Sequence, residues 1–196
     1  MHQASRIFFF ALIFIILPVQ VQADALEQGI NAFENGQYQT ALNYWQPLAN
    51  QNNPDALYNI GLLYMKGLGV KQDYAKAKKI FKQAAQYGSV DAAYNLGVMY
   101  KTGLGAHPST KDAIYWWKQA AEYGHADSQF NYGVMQAYGN GVKRNEKAAI
   151  ELWLMAAEQG HEGAIQAMAQ AYEQGLFGLP LDPAKGRSWR NLLSKH

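Results

Sequence analysis

The chain has 196 residues, a formal net charge of +2 and no cysteine. Charged residues make up 16% of it, against about 25% in an ordinary globular domain. This composition excludes a disordered chain and a general polyanion binder. The absence of cysteine excludes disulfides, thiol catalysis and cysteine-ligated metal sites. We therefore expect one or two small domains whose apolar residues pack into a core without covalent cross-links.

The N-terminal segment has the pattern of a secretory signal peptide. Arg6 precedes an apolar run at residues 7–19, and the short side chains of Val21 and Ala23 follow at the spacing of a cleavage site. The run would make roughly 20 Å of helix, too short for an uncleaved anchor across a ~30 Å hydrocarbon core. We predict that residues 1–23 are a signal peptide and that the mature protein is exported. We expect it in the periplasm, with the extracellular space as the alternative.

The rest of the chain repeats itself every 36 residues. The segment DALYNIG at 55–61 recurs as DAAYNLG at 91–97 and as DSQFNYG at 127–133. A degraded copy follows these three, and a copy lacking about five loop residues precedes them. The predicted units are residues 24–54, 55–90, 91–126, 127–162 and 163–196.

Each unit is predicted to contain two amphipathic helices. Leu57, Ile60, Gly61 and Tyr64 have the i, i+3, i+4, i+7 spacing of one helical face, and the second half of the unit repeats this spacing. A Gly-x-Gly segment separates the two halves, and its first glycine can adopt the left-handed conformation that ends a helix. The aspartates at the start of the first helices are predicted to be their N-caps, at Asp55, Asp91 and Asp127.

These helix pairs predict an all-α fold. A single pair cannot bury both of its apolar faces, whereas a stack of pairs can. We therefore expect an α-solenoid of about five antiparallel helix pairs. Phe81, Trp117 and Trp153 are predicted to fill the space between successive pairs, beside small residues such as Gly61.

The motif Asp-Ala-x-Tyr-Asn-Leu-Gly, followed by Gly-x-Gly and by Ala-Ala-x-x-Gly, resembles the Sel-one-like repeat (SLR). This repeat is the 36-residue branch of the tetratricopeptide (TPR) superfamily, and the N-terminal unit is similar to a plain TPR. The resemblance implies a right-handed superhelix whose first helices line a concave, protein-binding face. It also implies an exported bacterial adaptor. Some cysteine-rich members are linked to β-lactam binding, but their cysteine pairs are absent here.

A column of polar and aromatic residues on the first helices is the candidate partner-binding site. Asparagine is a mediocre helix former, yet it recurs at one position of three first helices. Its amide could pair with the backbone of an extended peptide or bond within its own repeat, and the neighbouring rings could contact a partner or pack between helices. The predicted site comprises Tyr58, Asn59, Leu62, Tyr94, Asn95, Val98, Phe130, Asn131 and Val134.

Two histidines, His125 and His161, follow the closing glycine of their units. Packed helices lie about 8–10 Å apart, whereas zinc ligands lie about 2 Å from their ion. We therefore predict two exposed linker histidines rather than a metal site. Since the sequence also lacks a nucleophile motif or an evident acid–base pair, we predict no catalytic residue and no cofactor.

These observations predict a non-enzymatic, exported scaffold that binds a protein or peptide in the groove of the solenoid. No nucleic-acid partner and no membrane span after cleavage are expected. One alternative is a cell-wall-associated enzyme or modulator of peptidoglycan or β-lactam chemistry. A second alternative is a structural spacer in an envelope complex. The lysine-rich stretch at residues 66–82 could also dock an acidic partner.

Overall fold

The computed structural model describes residues 19–105 and 107–193. Within these ranges the chain forms ten α-helices and no β-strand. The helices are α1 (Val19–Glu34), α2 (Tyr38–Asn50), α3 (Pro54–Lys66), α4 (Tyr74–Gln86), α5 (Val90–Thr102), α6 (Thr110–Glu122), α7 (Ala126–Tyr138), α8 (Glu146–Glu158), α9 (Glu162–Gln174) and α10 (Pro183–Arg190).

The helices form five pairs stacked in chain order. Odd-numbered helices are the first helices of the pairs and even-numbered helices are the second, and each helix packs chiefly against its neighbours in sequence. Such nearest-neighbour packing is the defining property of a solenoid. The predicted all-α solenoid of five helix pairs is confirmed.

The glycine loops end the first helices as the sequence predicts. Gly67, Gly103 and Gly139 have φ angles of 71°, 79° and 71°. Each is the left-handed residue directly after its helix, and the Gly67 N–H donates to the Leu63 carbonyl at 2.8 Å. A residue with a Cβ is strained in this conformation, so glycine fixes the point at which the chain turns back.

The large rings of the second helices pack on the glycines of their own units. A Cβ atom placed on Gly61 would lie 2.6 Å from Phe81, and one on Gly133 would lie 2.6 Å from Trp153. The Trp153 indole N–H also donates to the Phe130 carbonyl at 3.3 Å. These rings join the two helices within a pair, and Trp153 also meets Phe177 of the following unit edge to face, with ring centroids 5.2 Å apart. The glycine, which has no side chain, leaves the room that the ring of the same unit occupies.

The N-cap prediction is wrong by two residues. The cap of α3 is Asn53, whose side chain accepts from the Ala56 N–H at 2.9 Å, and the cap of α5 is Ser89. The aspartates instead occupy the first turn, where a carboxylate interacts favourably with the positive end of the helix dipole. This correction applies to all three predicted caps, Asp55, Asp91 and Asp127.

Most of the predicted signal peptide, residues 1–18, lies outside the described residues. Residues 19–23 are the first turn and a half of α1. No helix in the described part of the chain combines the length and apolar character needed to cross a membrane.

Candidate partner-binding site on the first helices

The nine predicted site residues lie on α3, α5 and α7, and all nine are half-buried. Each helix contributes an aromatic residue, an asparagine and an aliphatic residue at the same three positions. We call this surface the first-helix face. Because its residues are neither fully buried nor fully exposed, this face can both support the stack and contact a partner.

The tyrosines link the first helices of consecutive units. Burial raises the pKa of Tyr58 above its ordinary value of 10.0, and the carboxylate of Asp91 raises it further. A hydrogen bond with the Asn95 side chain acts in the opposite direction. Burial and Asp127 raise the pKa of Tyr94 in the same way. Because each phenol is near the aspartate of the next first helix, α3, α5 and α7 present one continuous surface.

The histidines are neither exposed nor confined to a linker. The His125 and His161 side chains are 14% and 17% exposed, and each ring stacks on an aromatic residue of the preceding first helix. The ring centroids are 4.6 Å apart both for His125 on Tyr94 and for His161 on Phe130. The prediction of exposed histidines is therefore wrong, because the stacked rings enclose them.

The same histidines cap the next first helix. The His125 Nδ1 accepts from the Ser128 N–H at 3.2 Å, so a neutral ring carries its own proton on Nε2. That Nε2 lies 3.4 Å from a carboxylate oxygen of Asp91. His161 has the same arrangement with the Ala164 N–H and with Asp127. Each histidine thus joins its helix to an aspartate and a ring of the unit before it.

The three asparagines differ in their contacts. The Asn95 Nδ2 donates to the Asp91 carbonyl one turn earlier, at 3.0 Å, and the same side chain bonds Tyr58. In the described part of the chain, Asn59 and Asn131 form no side-chain hydrogen bond. Asn95 therefore has a structural role, while two half-buried amides retain donors and acceptors for another molecule.

A small cavity of about 230 Å³ opens on the first-helix face between α7 and α9. Phe130 and Val134 line one side, and Gln166 and Gln170 line the other. The glutamines hold the positions of Phe130 and Val134 in the last unit, which the sequence analysis did not include in the site. Extending the 36-residue offset by one more unit would have identified them.

The described residues include no cluster of three or more histidine, aspartate or glutamate side chains arranged to hold a metal ion. His125 and His161 each use Nδ1 for capping and direct Nε2 at one aspartate. The chemistry of this face is therefore hydrogen bonding, aromatic contact and apolar contact.

The chain was compared with known families, curated proteins and solved structures. The model of the Sel1 repeat matches residues 23–53, 54–89, 90–125, 126–161 and 164–189. No curated protein gave a match. A crystal structure of a Sel1 repeat protein from Oxalobacter formigenes is 31% identical with a TM-score of 0.82, and the match covers 88% of this chain and 68% of that one.

Two further crystal structures show the same fold. One is c5321, a protective antigen of uropathogenic Escherichia coli with an SLR fold, at 23% identity and a TM-score of 0.79. That match covers 89% of this chain and 38% of the antigen. The other is a Sel1 repeat protein from Klebsiella pneumoniae at 20% identity and a TM-score of 0.56, with coverage of 90% and 89%. Since the five matched units span nearly all of the described residues, the chain belongs to the Sel1 repeat family.

Proposed function

We propose that this protein is an exported, non-catalytic scaffold that binds an extended segment of a partner protein on the first-helix face. Sel1 repeats generally mediate protein–protein interaction, which supports the class of function. The observation that carries the proposal is the pair of half-buried amides at Asn59 and Asn131, which have no hydrogen-bond partner within the described residues.

These amides can recognise a peptide backbone whatever its side chains. Each carboxamide supplies both an acceptor and donors, which match the N–H and C=O groups of an extended chain. The two asparagines stand two units apart, with Val98 and the Tyr94 ring between them. Rings at a groove add contact area at little entropic cost. The cavity beside Phe130 has room for one side chain of the bound segment.

The test separates binding from folding because Asn95 is hydrogen-bonded within the described part of the chain, whereas Asn59 and Asn131 are not. Asn59→Ala with Asn131→Ala should keep helicity and thermal stability but reduce recovery of crosslinked partners in the native host. Asn95→Ala is the matched contrast, because it removes bonds to Asp91 and Tyr58 and should lower stability instead. Unchanged partner recovery by the double variant, with its fold intact, would rule out this face as the binding site.

Export is proposed from the signal-peptide pattern at residues 1–23. Cleavage after Ala23 would retain Leu26, whose carbonyl accepts from the Trp45 indole N–H at 3.3 Å, and Gly29, on which Trp45 packs. The first helix pair would therefore keep both of these contacts and would lose the hydrogen bond between the Gln22 and Gln51 side chains. N-terminal sequencing of protein from fractionated cells should give Asp24 as the first residue, and an intact Met1 in the cytoplasmic fraction would contradict export.

A further inference from the structure

A second groove lies between second helices rather than on the first-helix face. Helices α4 and α6 form its banks, α5 forms its floor, and its volume is about 600 Å³. We call it the second-helix groove. Its lining includes Lys82, Gln86, Ala93, Tyr100, Trp116 and Gln119. Ala93 and Tyr100 are seven residues apart and share one face of α5, whereas Asn95 and Val98 lie on another.

The floor and wall of this groove depart from the repeat. Ala93 stands where the units before and after carry the larger side chains of Leu57 and Gln129. Gln129 is 1% exposed and fills its own position. In the wall the side chain is instead larger, because Trp116 stands where the preceding unit has Ile80. The preceding unit has an equivalent groove of about 560 Å³, lined by Leu57 and Ile80. What distinguishes this unit is the small floor residue and the aromatic wall of its groove.

Exposed rings surround this space. Tyr115 is 56% exposed and Tyr123 is 78% exposed, and both line the groove. The Tyr115 and Trp116 rings meet edge to face, with centroids 5.0 Å apart. Contiguous exposed aromatic surface is unusual on a soluble domain, and Tyr and Trp are enriched where proteins bind one another.

One bank of the groove is positively charged. Helix α4 carries four lysines and no acidic residue. Lys82 lines the groove, and Lys78 Nζ lies 5.4 Å from the ring centroid of Tyr100 at its edge. On the other bank Asp112 is the acidic residue that lines the groove. The α4 bank is therefore complementary to negative charge, and the floor is complementary to an apolar group.

We propose that the second-helix groove binds an acidic peptide segment of a partner protein, which inserts one aromatic or large aliphatic side chain over Ala93. Carboxylates of the segment face Lys78 and Lys82, and its backbone meets the amides of Gln86 and Gln119. A sugar fits less well, because the methyl groups of the floor would leave its hydroxyls without hydrogen-bond partners. The proposal does not depend on the first-helix face, with which the groove shares no residue.

The test begins with a random dodecapeptide display library selected against the protein. We expect the enriched sequences to combine aspartate or glutamate with an aromatic or large aliphatic residue. The binding of one such synthetic peptide is then measured by the change in tryptophan fluorescence. Two variants test separately the apolar space over Ala93 and the positive charge of α4. Ala93→Leu restores the side chain found at Leu57, and Lys78→Glu with Lys82→Glu reverses the charge without touching the core.

Each variant should weaken peptide binding at least tenfold, whereas the Asn59→Ala and Asn131→Ala control should bind as the wild type does. The lysine variant keeps the test valid even if Ala93→Leu perturbs the fold. The proposal is overturned if the enriched peptides lack acidic or bulky apolar residues, or if they bind the lysine variant as tightly as the wild type. It is also overturned if chito-oligosaccharides, and no peptides, change the fluorescence.

Discussion

His125 makes three contacts that join two units of the stack. Its ring lies on Tyr94, its Nε2 faces Asp91, and its Nδ1 caps the helix that begins at Ala126. His161 repeats all three contacts one unit later. Ser89 occupies the same position and supplies only the cap. The junction between α6 and α7 therefore has contacts that the junction between α4 and α5 lacks.

We expect His125→Ala to lower the free energy of unfolding by about 1 kcal/mol or somewhat more, because it removes both the cap and the ring contact. His125→Ser introduces the residue found at Ser89 and keeps the cap, so it should lower the free energy of unfolding by less. Urea denaturation of the two variants measures the difference. Equal stability of both variants and the wild type would show that the capping contact contributes nothing.

The tyrosines of the first-helix face predict a pH dependence at the alkaline end. The folded-state pKa values of Tyr58 and Tyr94 are raised, so the folded protein holds these protons more tightly than the unfolded chain. This stabilisation is complete below the unfolded pKa of about 10 and is lost as pH rises through the folded values. Tyr58→Phe with Tyr94→Phe should flatten the fall in melting temperature above about pH 10. An unchanged slope would contradict this account.

At the scale of the helix, the contact that sets the distance between paired helices is an aromatic ring packed on a glycine. Phe81 on Gly61 and Trp153 on Gly133 bring the helices of a pair close enough to exclude a Cβ atom. The sequence predicted which residues are small and which are large, because the 3.6-residue period assigns them to one face. It did not predict that they meet within a unit, because spacing along the chain does not say which helix packs on a given glycine.

Gly61→Ala should therefore reduce stability by about 1–3 kcal/mol through overpacking against Phe81. The matched test is a double-mutant cycle with Phe81→Leu, which removes the ring. If the added methyl group clashes with that ring, Gly61→Ala should lower the free energy of unfolding less in the Phe81→Leu background than in the wild type. Strictly additive effects, measured by chemical denaturation, would show that the alanine acts elsewhere.

The N-caps show how far local pattern can be read from sequence. Asn53 and Ser89 occupy equivalent positions and are preferred capping residues, so the alignment contained the signal for the true helix start. Aspartate is an equally good cap and recurs two residues later at Asp55 and Asp91, so the sequence pattern alone favours the aspartates. Only the backbone geometry distinguishes an N-cap from a first-turn carboxylate.

At the scale of the molecule, every unit is stabilised by its neighbours. The five-unit architecture could be predicted because the period, the helical spacing and the glycine positions all agree. The second-helix groove could not, because a change such as Leu57 to Ala93 resembles ordinary variation between copies until the floor of the groove is known.

Nearest-neighbour stacking predicts an uneven distribution of stability. Helices α5 and α6 are covered by units on both sides, whereas α1 and α10 each have an uncovered side within the described chain. We expect amide hydrogen exchange to be slowest in α5 and α6 and to become faster toward both ends. Uniform protection across all ten helices would indicate a single cooperative unit instead.

The histidine junction has a consequence for how such a chain can grow. Its three contacts draw on residues from two adjacent copies, so a duplicate of residues 90–125 inserted after His125 would bring its own partners. The original His125 would cap the inserted helix, and the new histidine would meet the inserted aspartate and tyrosine. Extension by 36 residues, or by a multiple of 36, therefore preserves every junction. Gene duplication in whole units can lengthen this protein without disturbing the contacts between its units.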